Sequence, residues 1–350
     1  MFGKCLKFVF ETGLARKILA SLVVLSAGQS ALWAKPVIFQ FASYYSENDT
    51  RLPDPSLVTH IIFSPVRING DFSLNLKYPK MLEKISALKK ENPKLKVMML
   101  VGGGMSQNFS EAASSAESRA KLLDEFAAYM KKYNLDGIDL DWEFPTVSRP
   151  NGQTGKPEDV VNYTALMREF RGRFPDKILT VDVGNTIEFI DLAAADKYVD
   201  YFNLMSYDYS GIRHNAPLFI SNFAKKRCVS NTVEELMKKV PSKKIVMGIP
   251  FYGHIFLKED VGNPMLPYKS LGKTIKKMNL TPCRDEVARA PFYMDENRKI
   301  AAACEDPQSV AEKCAYAKLK SLAGVMCWQL LDDDEDLTLS RAVHAEMQKD

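Results

Sequence analysis

The 350-residue sequence is poor in tryptophan, with three, and in histidine, with four. His60, His214, His254 and His344 show no metal-ligand spacing and there is no Cys-x-x-Cys pair, so no metal or cofactor is expected and the histidines read as structural. Charge of one sign is also lacking. The formal net charge is +4, and runs such as Lys89-Lys90 and Lys243-Lys244 are too short to track a phosphate backbone. They read as solvated helix faces, and no nucleic-acid partner is expected. A Gly-rich phosphate loop is missing after the first apolar run, where Gln40-Phe41-Ala42-Ser43-Tyr44 holds no glycine, which argues against a dinucleotide-binding open sheet.

Long apolar runs are missing as well. Ile18 to Ala27 is too short for a comfortable membrane span. It follows Lys4, Lys7, Arg16 and Lys17 and precedes small residues up to Ala34, the three-part pattern of a secretory signal peptide over 1–34. An exported, secreted or periplasmic, soluble product of 35–350 is therefore expected, with an uncleaved anchor as the alternative, because Glu11 and Leu32 are atypical of such a leader. Beyond Cys5 the cysteines are Cys228, Cys283, Cys304, Cys314 and Cys327. Cys283, Cys304 and Cys314 are close enough in sequence for one local bridge, and buried free thiols are the other reading.

From residue 37 onward, short apolar runs alternate with amphipathic stretches, the pattern of repeated βα units around a parallel sheet. Strands are predicted at 37–42, 58–64, 96–101, 137–143, 178–183, 201–207, 245–251 and 324–330. Helical spacing falls between them, as in Ala116–Lys132, with Leu122, Leu123, Phe126 and Met130, and in Pro157–Phe174. Eight units predict a closed (β/α)8 TIM barrel. The alternation breaks over 254–306, which reads as a small insertion between the seventh strand and the following helix, rising from the C-terminal rim. Gly102-Gly103-Gly104 after the third strand reads as a tight turn or a close backbone approach.

The segment Leu135-Asp136-Gly137-Ile138-Asp139-Leu140-Asp141-Trp142-Glu143 places four acids in an otherwise apolar strand. Side chains alternate across a strand, so Asp139, Asp141 and Glu143 share one face while Ile138, Leu140 and Trp142 share the other. In a barrel this line runs from the interior to the C-terminal rim, with Glu143 outermost. Like charges so stacked force at least one group to hold a proton near neutral pH, as a general acid must, and Glu143 takes that role. A solvated acidic strand or a calcium site is the alternative. The apolar flanks argue against the first, and the lack of a calcium loop's spacing argues against the second.

This segment resembles the Asp-x-x-Asp-x-Asp-x-Glu signature of glycoside hydrolase family 18, with Asp136, Asp139, Asp141 and Glu143 matching in full. Similar segments follow the family's order: Thr59-His60-Ile61-Ile62-Phe63, Met205-Ser206-Tyr207-Asp208, Met247 to Gly253, and Gly324-Val325-Met326-Cys327-Trp328. The resemblance covers about residues 36 to 335. It implies a retaining, substrate-assisted chitinase-type reaction, outside the two-carboxylate scheme. By that resemblance Glu143 protonates the glycosidic oxygen and Asp141 holds the acetamido nitrogen. Tyr207 binds the acetamido oxygen, and Asp139 shares a proton with Asp141. Trp328 forms the apolar floor and Asp208 makes a polar sugar contact. Met205, Tyr252 and Gly103 are further candidate substrate-site residues; Met205 reads mainly as packing, Tyr252 equally as sugar contact or wall, and barrel core is the lesser alternative for Trp328. Asp136 is a structural member of the motif.

The sequence departs from the family in four places. Leu100 or Val101 stands where a Ser is common, Gln40 where a Tyr is common, and His254 where an Arg is frequent, and the loop after Tyr207 is short. The first two changes predict an altered proton balance at Asp139 and Asp141, hence a shifted pH optimum or reduced turnover. Scarce tryptophan and the lack of a binding module favour soluble or short N-acetylglucosamine chains over crystalline chitin. The expected partner is thus an N-acetylglucosamine oligo- or polysaccharide, with the protein a monomer. Endo-β-N-acetylglucosaminidase action on glycoprotein glycans, peptidoglycan hydrolysis and non-catalytic sugar binding are the alternatives.

Overall fold

The structure is a computed structural model that describes residues 36–349 apart from 47, 210–212 and 257–262. The expected leader lies outside the described residues. The first strands are β1 (Val37–Ser43), β2 (His60–Ile68), β3 (Leu74–Leu76), β4 (Lys96–Gly102) and β5 (Gly137–Asp141). Next come β6 (Ile178–Val183), β7 (Tyr201–Leu204) and β8 (Ile245–Pro250). A rim group follows, β9 (Tyr252–Ile255), β10 (Met265–Pro267), β11 (Thr281–Asp285), β12 (Ala290–Met294) and β13 (Ile300–Ala303), before β14 (Gly324–Trp328).

Strands β1, β2, β4, β5, β6, β7, β8 and β14 pair in parallel, and β1 pairs with both β14 and β2, which closes the barrel. Each predicted strand is present. The fourth, sixth, seventh and eighth end earlier than expected, at Asp141, Leu204, Pro250 and Trp328, where the ladder pairing of the barrel stops. The second runs on to Ile68 and folds back on β3, a hairpin the sequence reading did not anticipate.

Barrel strands are covered on both faces, so they read as continuous apolar runs; Val97 to Val101 are all fully buried. The helix Ala116–Lys132 starts at a capping box made by Ser115 and Ser118 and buries Leu122, Leu123, Phe126 and Met130, each contributing roughly 1.5–3 kcal/mol. Phe126 meets Phe170 of the next helix, Asp159–Arg173, edge to face at 6.3 Å. Asp136, at the N-terminal end of β5, accepts from the Val97 amide and from Lys89 Nζ, both at 2.8 Å. Its work is to tie β4 to β5 at the barrel bottom.

Between β8 and the helix Pro307–Leu319, the rim strands form an antiparallel sheet in the order β10-β9-β13-β12-β11. Its small core is built on Leu266, Leu271, Leu280 and Tyr293. A buried Lys313–Glu305 pair, 2.7 Å apart, joins its end to that helix. Among the described residues Cys228, Cys283, Cys304, Cys314 and Cys327 are all unpaired, so no local bridge forms between them, and the buried-thiol reading holds for all but the half-buried Cys283. Burial pushes the Cys314 thiol up to about 12 and raises Cys304 and Cys327 as well, which leaves them inert.

Candidate active site

The outward face of β5 is fixed by aromatic packing. Trp142 stacks on Phe109 with ring centroids 5.1 Å apart and meets Tyr163 at 5.2 Å, and the Tyr163 hydroxyl donates to the Leu140 carbonyl at 3.0 Å. With Ile138, Leu140 and Trp142 committed outward, Asp139, Asp141 and Glu143 line the inner face. Their exposure rises along the strand. Asp139 is fully buried, Asp141 is 3% exposed and Glu143 is half-buried.

Each of the three carboxyls is made harder to ionise, chiefly by burial. Asp139 is pushed up to about 7, while its Oδ1 accepts from Thr180 Oγ1 and from Asn203 Nδ2, the latter at 2.9 Å. Asp141 is raised further because Glu143 and Asp139 add like charge beside it. Glu143 is also raised, against the opposing pull of Arg149 and Arg67. Among the described residues Asp139 Oδ2 and Asp141 Oδ1 have no hydrogen-bond partner. A carboxyl held above its usual range at the outer end of a buried pair suits general-acid chemistry.

The triple glycine is a close approach. At Gly102, φ is +128° and an added Cβ would fall 2.0 Å from the Asp141 carbonyl oxygen, while the Gly103 amide donates to that same oxygen at 2.8 Å. Gly103 itself has φ of +96°. The turn thus brings β4 directly against the base of the acidic strand, and Gly103 contributes backbone rather than a side-chain contact.

Tyr207 is 7% exposed, close enough to feel Asp182, Asp208, Asp141 and Glu143, and its phenol is held well above its usual range by burial. Gly248 makes room for its ring, since a Cβ there would lie 2.8 Å from Tyr207 Cε1. Asp208 accepts from the Tyr252 hydroxyl at 2.7 Å and lies 3.0 Å from His254 Nε2. Tyr252 is otherwise buried, so its ring is wall and its hydroxyl is committed to Asp208. Met205 is half-buried and packs against the core. Trp328, at the C-terminal end of β14, is half-buried and lies 5.4 Å from the Phe41 ring. Beside the centre, from Arg67 outward, two adjoining hollows of about 240 and 350 Å³ share Tyr44, Lys77 and Tyr78.

Five residues near the carboxyls escaped the sequence reading: Thr180, Asp182, Asn203, Arg67 and Arg149. The first three belong to β6 and β7, whose register sets Thr180 beside Asp139 and Asn203 beside Asp182. The polar alternation of Thr180 and Asp182 within an apolar strand was the available signal. Leu100 is the β4 residue opposite Asp139, and Gln40 bonds with Ser340 and main-chain carbonyls, so Asp139 is held from the β6 and β7 side.

A family model described as glycosyl hydrolases family 18 matches residues 40–334. The chain belongs to this family. Chitinase A1 of Niallia circulans is 30% identical over 311 residues, covering 76% of this chain and 44% of that protein, so the chain spans less than half the length of that relative. Among solved structures, the Ostrinia furnacalis Group IV chitinase in complex with allosamidin superposes with a TM-score of 0.80 at 25% identity, covering 90% of this chain and all of that one. A family 18 N-acetylglucosaminidase from Paenibacillus barengoltzii gives 0.80 at 26% identity, over 89% of this chain and 99% of that one.

Proposed function

We propose that this family 18 barrel hydrolyses β-1,4-linked N-acetylglucosamine chains with retention, using the substrate's own acetamide as nucleophile. The observation that carries the reading is the line of Asp139, Asp141 and Glu143, rising from a fully buried carboxyl to a half-buried one with each harder to ionise than usual. Glu143 protonates the glycosidic oxygen as the bond to the leaving sugar breaks. The acetamido oxygen attacks the anomeric carbon, Asp141 holds the acetamido N–H and offsets the positive charge of the resulting oxazolinium ring, and Tyr207 donates to the acetamido oxygen. Asp208 makes a polar contact with the sugar, and Trp328 underlies it. Glu143, now ionised, takes a proton from water, which opens the ring on the original face.

The chitinase names of relatives such as that of Niallia circulans support the substrate class. The leader pattern at 1–34 supports export, and among the described residues no helix is long and apolar enough to cross a membrane. The reading is tested by incubating purified 35–350 with soluble N-acetylglucosamine oligomers and following the anomers by proton NMR. Initial release of the β-anomer supports it. Initial release of the α-anomer, or no cleavage, contradicts it.

A further inference from the structure

A third buried aspartate faces the Asp139–Asp141 pair. Thr180 pairs with Asp139 across β5 and β6, so Asp182, two residues on, projects from the same face of β6 at the level of Asp141. Asp182 is 4% exposed, and its Oδ1 has no hydrogen-bond partner among the described residues. It stands within hydrogen-bonding reach of Asp139 and of Asn203, which is its register partner on β7 and also donates to Asp139. Asp139, Asp141 and Glu143 act on it from the β5 side, and it in turn acts on Tyr163 and Tyr207. Arg67 and Arg149, the cations of the site, act on Asp141 and Glu143.

Three aspartates buried side by side cannot all be ionised, and the donors decide which one carries the charge. Asp139 has Thr180 and Asn203 already donating to it. Asp182 is buried with three acidic neighbours acting on it and an unpartnered carboxyl oxygen, whereas Asp141 also feels Arg67 and Arg149, so Asp182 is the one that keeps its proton.

We propose that Asp182 is a positioning residue that donates its own proton as a third hydrogen bond to Asp139, fixing Asp139 as the anion that receives the proton Asp141 sheds when a sugar acetamide reaches it. In that step the O–H bond on Asp141 breaks and one forms on Asp139. The net charge of the cluster is unchanged, and Asp141 is left as the carboxylate that accepts the acetamido N–H. The proposal rests on the substrate-assisted reading above. It also accounts for how the site works with Leu100 and Gln40 where partners of Asp139 would otherwise stand.

The test is an infrared titration of the protonated-carboxyl C=O band in the free protein, together with kcat against pH on N-acetylglucosamine oligomers. At pH 7, Asp182→Asn loses one protonated carboxyl. Asp182→Ala removes a donor from the Asp139 anion, so Asp139 titrates about one unit higher and the acid limb of kcat moves up by a similar amount, about a tenfold change in proton affinity. Asp182→Asn, which keeps an N–H donor, recovers most of that shift. An unchanged C=O band in Asp182→Asn, or an Asp139 titration unmoved in a folded Asp182→Ala, overturns the proposal. The infrared arm needs no substrate, so a wild-type chain that cleaves nothing defeats the functional reading while this assignment is still decided.

Discussion

The Tyr252 hydroxyl donates to Asp208 Oδ2 at 2.7 Å, joining the first residue of the rim sheet to the loop that follows β7. His254 reaches the other oxygen of the same carboxylate at 3.0 Å, so Asp208 is held from two points on β9. Asp208 has φ of +56°, and its amide donates to Asn215 Oδ1 at 3.0 Å, which sets its backbone as well. Removing the hydroxyl frees one oxygen of the carboxylate proposed to contact the sugar. Tyr252→Phe is expected to lower kcat/KM by about 10- to 100-fold, in line with the roughly 1.5–3 kcal/mol of a hydrogen bond to a charged group. Steady-state kinetics on a soluble oligomer check this, and unaltered kcat/KM would mean Asp208 does not touch sugar.

Gly102→Ala is expected to be damaging through the backbone. The added Cβ would overlap the Asp141 carbonyl oxygen at 2.0 Å with φ at +128°, so β4 must move away from β5. Chemical denaturation should show a loss of about 3 kcal/mol, and activity should fall more than tenfold as Asp141 shifts. A variant with wild-type stability and kinetics would contradict this packing.

The raised carboxyl of Asp139 carries a stability signature. Its folded pKa of about 7 exceeds the roughly 3.9 of an unfolded aspartate, so the folded chain binds more protons between those values. Its contribution is therefore fully present below about pH 4 and is lost as pH rises through about 7. The denaturant midpoint is expected to be higher at pH 5 than at pH 8, and Asp139→Asn should narrow that gap. A gap of the same size in both proteins would be the contrary result.

Trp328 separates floor from filler. If it lies under the sugar, Trp328→Ala lowers kcat/KM about a hundredfold with a modest change in melting temperature. Ordinary core would give the opposite, a marked fall in melting temperature with kcat/KM little changed. Kinetics and calorimetry on one preparation decide between them.

The barrel was legible because its strands are apolar on both faces and separated by helical spacing, a pattern that tertiary contacts reinforce. Strand ends were less so. Trp142 and Glu143 continue the alternation of β5 in sequence yet leave the ladder, since the chain turns at the rim and only backbone pairing records it. The acidic line was plain because both faces of β5 are specified, one by Ile138, Leu140 and Trp142 and the other by carboxyls. The support around Asp139 was hidden because it depends on register between strands distant in sequence, which no single-strand pattern reports. Thr180, Asp182 and Asn203 become neighbours only once β5, β6 and β7 lie side by side. The cysteines followed the same rule, as sequence proximity allowed a bridge that the fold did not make.

The central claim is that Glu143 is the acid that turns binding into hydrolysis. The direct measurement is reducing-end release from soluble N-acetylglucosamine oligomers by residues 35–350, alongside Glu143→Gln, with oligomer affinity measured in both. The account predicts turnover by the wild-type chain, a fall of at least a thousandfold in the variant, about 4 kcal/mol of transition-state stabilisation, and similar binding. Turnover that survives the substitution, or binding without hydrolysis in both proteins, would contradict it.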